Sequence, residues 1–261
     1  MKSEEINKLK TEGFVILKDL VPEKWISKLT YELENSFSKH KKTQIDNNSD
    51  IYTDGVALHI IMDSDVYIDF LRFLIEVGLV ESLAKNFFGA NCILNSLSGL
   101  NNLPNQPNFS ATIHRDLRFY THGLPVMANC LLMIDDFTYE NGGTYLLPFS
   151  HKEESKPSEE YFFKNAIQVT GKKGDLLIFD SNIWHCSAPN KTNVGRRAIP
   201  LTVSRSFLKP LLDYPRALGY NRMDEFEYSL QQFLGYHSRV PASIDEWYQS
   251  YEKRFYKKNQ D

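Results

Sequence analysis

The sequence predicts a mainly β fold with flanking helices: one barrel or sandwich domain over residues 1–261, with its strands at about 90–205. Three observations carry this. Beyond Gly89, short apolar runs separated by Gly, Asn and Pro recur at 92–98, 111–119, 125–134, 144–148, 166–169, 176–179 and 197–204. That spacing is typical of antiparallel strands, not of alternating βαβ units. On either side of this block the apolar period lengthens to that of helices. No repeat or low-complexity linker divides the chain, and 261 residues suffice for a sizeable core.

In chain order, residues 3–12 read as a short helix, with Ser3 as N-cap, Ile6 and Leu9 on one face and Gly13 as its stop. Phe14-Val15-Ile16-Leu17 is an apolar strand. Pro22 suits the first turn of a second helix, whose stripe is Trp25, Ile26, Leu29 and Leu33 and which runs toward His40. The polar segment 41–53 reads as an exposed loop. From Asp65 to Phe88, Tyr67, Leu71, Leu74, Ile75 and Leu79 recur at helical spacing, with an interruption near Gly78. After the seven apolar runs, Met223 to Leu234 and Ile244 to Phe255 again read as helices.

Composition sets limits on function. With 42% hydrophobic and 24% charged residues the chain suits a folded, soluble protein. A formal net charge of -3 offers no global attraction to nucleic acid or to an anionic membrane. Cys92, Cys130 and Cys186 form no CxxC pair and read as three reduced thiols. The N-terminus, Met-Lys-Ser-Glu-Glu, lacks the basic and apolar regions of a targeting peptide, and no apolar run is long enough to span a membrane. A cytoplasmic location is expected; the oligomeric state is not legible.

The chemistry centres on His114-Arg115-Asp116. Side chains two residues apart share one face of a strand, so an imidazole and a carboxylate would stand on the same wall. Of the seven histidines, His185 alone closes a buried strand, after Gly174-Asp175 and Leu176 to Asp180. Two histidines and a carboxylate form the facial set that leaves positions open on Fe(II). The other histidines read as ordinary: His40 as solvated surface, His59 and His237 as structural, His122 as a loop residue near the pocket mouth, and His151 as a turn cap. Eleven residues past His185, Arg196 opens an apolar run. Its guanidinium can grip a carboxylate as a fixed fork. A 2-oxo acid chelating iron would leave its distal carboxylate for such a group. Taken alone, His-x-Asp occurs by chance and Arg196-Arg197 is an exposed pair after Gly195.

Taken together these pieces resemble the phytanoyl-CoA dioxygenase (PhyH-like) family of Fe(II)- and 2-oxoglutarate-dependent oxygenases. The matching pieces are His114-Arg115-Asp116, Asp135-Asp136-Phe137, Glu140-Asn141-Gly142-Gly143-Thr144 and Leu147-Pro148-Phe149-Ser150-His151. Gly174 to Phe179 and Trp184-His185-Cys186-Ser187-Ala188-Pro189-Asn190 through Arg196-Arg197 complete the set. One departure is Phe149, where the family usually carries glycine. The resemblance implies a double-stranded β-helix, or jelly roll, with iron, 2-oxoglutarate and O2 at its open end. It implies His114, Asp116 and His185 as ligands, Arg196 on the distal carboxylate of 2-oxoglutarate, and Thr144 and Ser187 as assisting residues. Asn129, in phase with an inward-facing set, is either a cosubstrate contact or a hydrogen-bonded core amide. Arg197 points away from Arg196 on a strand, unless a turn at Gly195 exchanges them. Arg115 should face away from the metal.

Hydroxylation of a small-molecule metabolite or biosynthetic intermediate, with release of succinate and CO2, is the activity this resemblance implies. Arg118, Phe119, Tyr120 and His122 are candidates for the pocket mouth, and Tyr214, Arg216, Tyr220 and Trp247 for its cover. Two other readings stay open: a cupin-like metal enzyme that does not use 2-oxoglutarate, and a catalytically silent binding protein on the same barrel.

Overall fold

A computed structural model describes residues 1–49, 54–106, 110–250 and 252. Its strands are β1 (Phe14–Leu17), β2 (Val56–Ala57), β3 (Cys92–Leu97), β4 (Gly99–Asn102) and β5 (Met127–Met133). They continue with β6 (Tyr145–Leu146), β7 (Ile167–Gln168), β8 (Leu176–Asp180), β9 (His185–Cys186) and β10 (Arg196–Arg205). The larger, seven-stranded sheet runs β1-β8-β5-β10-β4-β2, with β3 also paired to β10. The smaller runs β7-β6-β9, and an antiparallel bridge between His114 and His185 extends it past β9. All named pairings are antiparallel. The two sheets close on each other as a jelly roll with flanking helices.

Period-two alternation divides the side chains of the large sheet. Leu131, Met133, Leu177, Phe179 and Ala198 fill the barrel with Phe137, Leu146 and Ile183. Their neighbours Cys130, Leu132, Leu176, Ile178, Ile199, Leu201 and Val203 face outward, into the layer of α2 (Glu23–Asp46) and α3 (Asp65–Glu76), with Leu29, Leu33, Tyr67 and Leu71. Pro200 sits in the middle of β10, a position that normally excludes proline. It lies where β10 changes partner: Ala198 is the last residue paired with β4, and Leu201 the first paired with β3. A missing N–H there breaks no ladder.

Several elements differ from the sequence expectation. The cap of α1 (Ser3–Glu12) is Lys2, whose N–H is held by Glu5 Oε2 at 2.6 Å, and Pro22 stands at the N-cap of α2. α2 continues through the polar segment to Asp46, because Lys42 pairs with Asp46 one turn on and the face needs no burial; residues 50–53 lie outside the described residues. The run at 92–98 is followed by a separate strand, β4. The run at 111–119 contributes one bridge rather than a strand. The C-terminal helices are short, at Tyr228–Phe233 and Ile244–Trp247, and 251 and 253–255 lie outside the described residues. His40 is not simply solvated; its Nε2 lies 2.9 Å from the Asp63 carboxylate. The three thiols are buried and unpaired. No helix among the described residues is long and apolar enough to cross a membrane.

Candidate active site

The bridge between the two sheet segments assembles the site. His114 N–H donates to His185 O at 3.0 Å, and His185 N–H returns a bond to His114 O at 2.9 Å. The chain then bends, with Leu117 N–H bonded to Ser181 O at 3.1 Å. One bridge and a bend, not a regular strand, therefore bring His114 and Asp116 to the same place. Donor atoms of His114, Asp116 and His185 all lie within 4.8 Å of one another. His114 Nε2 is 3.5 Å from Asp116 Oδ1, and His185 Nε2 is 3.5 Å from Asp116 Oδ2.

The tautomers of both histidines suit a ligand set. Each Nδ1–H donates to a carbonyl two residues back, His114 to Thr112 O at 2.7 Å and His185 to Ile183 O at 3.0 Å. Both Nε2 lone pairs are thereby left to converge. Burial holds the His185 imidazole below its ordinary pKa, in the neutral form a metal requires. Burial alone would raise the Asp116 carboxyl, but the two histidines and Asn129 together hold it below the usual value.

Asn129 is a fully engaged amide. Its Nδ2 donates to Asp116 Oδ2 at 2.6 Å and to Ser181 Oγ at 2.9 Å, and its Oδ1 accepts from Thr202 Oγ1 at 2.8 Å. Both amide hydrogens are committed within the protein, so Asn129 orients the carboxylate. Thr202 and Ser181 belong to the same inward-facing set. The even parity of Thr202 with Arg196 on β10 was the signal available for it.

That parity also separates the two arginines. Arg197 faces outward, with Nη2 at 2.7 Å from Asp135 Oδ1, Nε at 2.9 Å from Asp135 Oδ2 and Nη1 at 3.0 Å from Glu34 on α2. Arg196 points into the barrel and is 4% exposed. Its Nη2 donates to Gly142 O at 2.8 Å, its guanidinium stacks 4.0 Å above Phe137, and its Nε has no partner. Burial pushes its pKa down to about 10. Gly142 has φ of 87°, and a Cβ there would lie 2.2 Å from Asn102 Nδ2 and 2.5 Å from Ala188 O. Glycine is therefore required where the backbone presents its carbonyl to Arg196. Thr144 is buried two residues before the barrel-filling Leu146. Ser187 Oγ lies 2.6 Å from Ser110 Oγ.

A cavity of about 890 Å³ opens beside His114 and Asp116. Arg118, Phe119 and Tyr120 line it as expected, but His122 does not; its ring packs tilted against Tyr120 with centroids 4.8 Å apart. Nor do Tyr214, Arg216, Tyr220 or Trp247. Tyr214 is buried, with its hydroxyl bonded to His59 and Leu97 N–H. Glu154 and Lys156 complete the lining on this side of the chain. Arg115, which lines the same cavity, is buried, and its guanidinium turns toward Asn182 and segment 153–154. It stacks 4.1 Å above Trp184 and donates to Glu153 O at 2.7 Å and Glu154 O at 3.0 Å.

Two imidazole nitrogens and a carboxylate facing one point suit a divalent first-row metal, and the unpartnered Arg196 Nε leaves a donor for an anion within the barrel. The phytanoyl-CoA dioxygenase (PhyH) family model matches residues 9–198. The chain belongs to that family and is an oxygenase by class. It is 35% identical over 210 residues to the uncharacterized protein Mb1539 of Mycobacterium bovis, covering 78% of this chain and 76% of that one. It is 26% identical over 253 residues to the dioxygenase sphC of Aspergillus fumigatus, covering 89% and 67%. The iron/alpha-ketoglutarate-dependent dioxygenase penM of Penicillium thymicola is 24% identical over 214 residues, covering 76% and 67%. The solved structure of EctD from S. alaskensis with bound Fe superposes with a TM-score of 0.65 at 17% identity, covering 80% of each chain.

Proposed function

We propose that the protein is an Fe(II)- and 2-oxoglutarate-dependent dioxygenase that hydroxylates a small-molecule metabolite or biosynthetic intermediate, releasing succinate and CO2. The observation that carries this reading is the convergence of three donor atoms at the mouth of a barrel whose interior also holds a buried, under-bonded guanidinium. The name of penM supports the cofactor pair.

In this reading His114, Asp116 and His185 hold the metal. Asn129 keeps the Asp116 carboxylate turned toward it, and the carbonyls of Thr112 and Ile183 keep both imidazoles in the ligating tautomer. Arg196 receives the distal carboxylate of 2-oxoglutarate; Thr144 and Ser187 supply hydroxyls nearby. When bound, Fe(II) and 2-oxoglutarate activate dioxygen for attack on a substrate C–H bond. Phe137, Leu146 and Ile183 exclude water from the barrel interior behind the site. The cavity beside His114 admits the substrate from the solvent side.

Anaerobic calorimetric titration with Fe(II) and 2-oxoglutarate tests the reading, followed by oxygen-dependent succinate release. Both should bind the native chain, and Asp116→Ala should lose Fe(II) binding and succinate formation. Metal-dependent turnover that persists in Asp116→Ala, or indifference to 2-oxoglutarate, overturns it.

A further inference from the structure

We propose that the substrate of this site is a small organic anion, a carboxylate or phosphate monoester with an apolar body, gripped by Arg118 and Lys156 at the cavity mouth. The inference rests on the functional reading above for which end of the barrel meets substrate.

A charge inventory of the cavity wall carries it. Asp116 faces the metal position. Arg115 is engaged within the protein: it bonds the Glu153 and Glu154 carbonyls and stacks on Trp184, while the exposed Glu154 carboxylate forms no ion pair among the described residues. That leaves Arg118 and Lys156, both exposed and both lining the cavity. Among the described residues neither makes a hydrogen bond or an ion pair. Arg118 and Lys156 outnumber the Glu154 carboxylate on this wall, and two cations that form no ion pair, facing a shared space of about 890 Å³, favour an anion there.

The wall is held in place. Tyr120 Oη donates to Lys152 O at 2.7 Å, and Arg115 bonds the two carbonyls that follow. Segment 152–154 is thereby pinned to segment 115–120, which holds both chain stretches on the wall of one cavity. Phe119, 55% exposed, and the ring of Tyr120 supply an apolar surface next to the charges. An apolar body with one anionic end meets both features. A cationic or neutral polar substrate would leave the two cations unanswered.

The probes are carboxylates from butyrate to laurate and phenylacetate, the matching monophosphates, and the matching primary amides and alcohols. Binding is measured calorimetrically on protein loaded anaerobically with Fe(II) and saturating 2-oxoglutarate, then turnover as succinate release. At least one anion series should bind roughly tenfold or more tighter than its amide, the size of a lost charge-assisted bond. Arg118→Gln and Lys156→Gln should each weaken the anion about tenfold and leave the amide unchanged, while Fe(II) and 2-oxoglutarate still load. Preference for carboxylate or for phosphate identifies the anionic group. The proposal is overturned if amides or alcohols bind as well as anions. It is also overturned if the double variant keeps the preference, or if no probe binds to fully loaded protein. Failure of Fe(II) and 2-oxoglutarate to load would overturn the functional reading instead, a result seen before any probe is added.

Discussion

Replacing Arg196 by methionine should raise the stability of the protein while abolishing its response to 2-oxoglutarate. The guanidinium is 4% exposed, and the nearest carboxylate, Asp135, is already occupied by Arg197. Its pKa falls from 12.5 to about 10, which corresponds to roughly 3 kcal/mol of unfavourable burial of the charge at any pH below that value. Methionine keeps the unbranched stem over Phe137 and removes the charge. The loss of the bond to Gly142 O returns about 1 kcal/mol of destabilisation, so a net gain of about 2 kcal/mol is expected without ligand. With 2-oxoglutarate the sign reverses. Native protein should gain about 3 kcal/mol at a ligand concentration near a hundred times Kd, and the variant almost nothing. Thermal unfolding with and without 2-oxoglutarate, in the presence of anaerobic Fe(II), measures both halves. A variant that is less stable than native and still shifts with 2-oxoglutarate would refute the reasoning.

Asn129→Ala should weaken Fe(II) binding about 10- to 100-fold by freeing the Asp116 carboxylate; if calorimetry shows 2-oxoglutarate affinity falling instead, Asn129 is a cosubstrate contact. Burial pushes the Asp180 carboxyl from 3.8 up to about 6, so the folded state binds the extra proton and stability should fall as pH rises between those values. Asp180→Asn retains the acceptor for Asn182 N–H, so it should flatten that slope and add up to about 3 kcal/mol at neutral pH, read by denaturant titration across the pH range. Phe149 holds φ of 67° with an exposed ring. Glycine there should relieve about 1–2 kcal/mol of left-handed strain against about 0.5–1 kcal/mol of added chain entropy, raising Tm by about 2 °C; a fall in Tm would mean that the ring is held by contacts that matter.

The fold was legible where a physical rule leaves few options. Apolar runs at 125–134 and 197–204 marked the two central strands, Met127–Met133 and Arg196–Arg205, and strand parity separates Arg196 from Arg197. Strands of two residues, such as β9, are too short for any period to register. They exist because partners far along the chain supply the hydrogen bonds. The helix Glu159–Asn165 also went unread, although Ser158 followed by two glutamates is an N-cap signal and its hydroxyl accepts from Tyr161 N–H at 3.2 Å. Phe149 was visible as a departure from the family pattern, and its left-handed backbone shows why glycine is the usual residue there.

The metal ligands and the substrate wall differ in how much of each the sequence contains. A ligand must be one of a few residue types with its lone pair aimed at a common point, so type and spacing single out His114, Asp116 and His185 as candidates, and their donor atoms lie within 4.8 Å of one another. A charge on a cavity wall is free in type and in position; what decides its role is whether another charge answers it. Glu154 and Lys156 lie two residues apart in an unremarkable polar stretch. Arg115 bonds the Glu153 and Glu154 carbonyls and so fixes the segment that leads to Lys156, which forms no ion pair among the described residues. Arg115, between His114 and Asp116 and with no chemistry of its own, thus ties the candidate ligands to the wall proposed to meet the substrate.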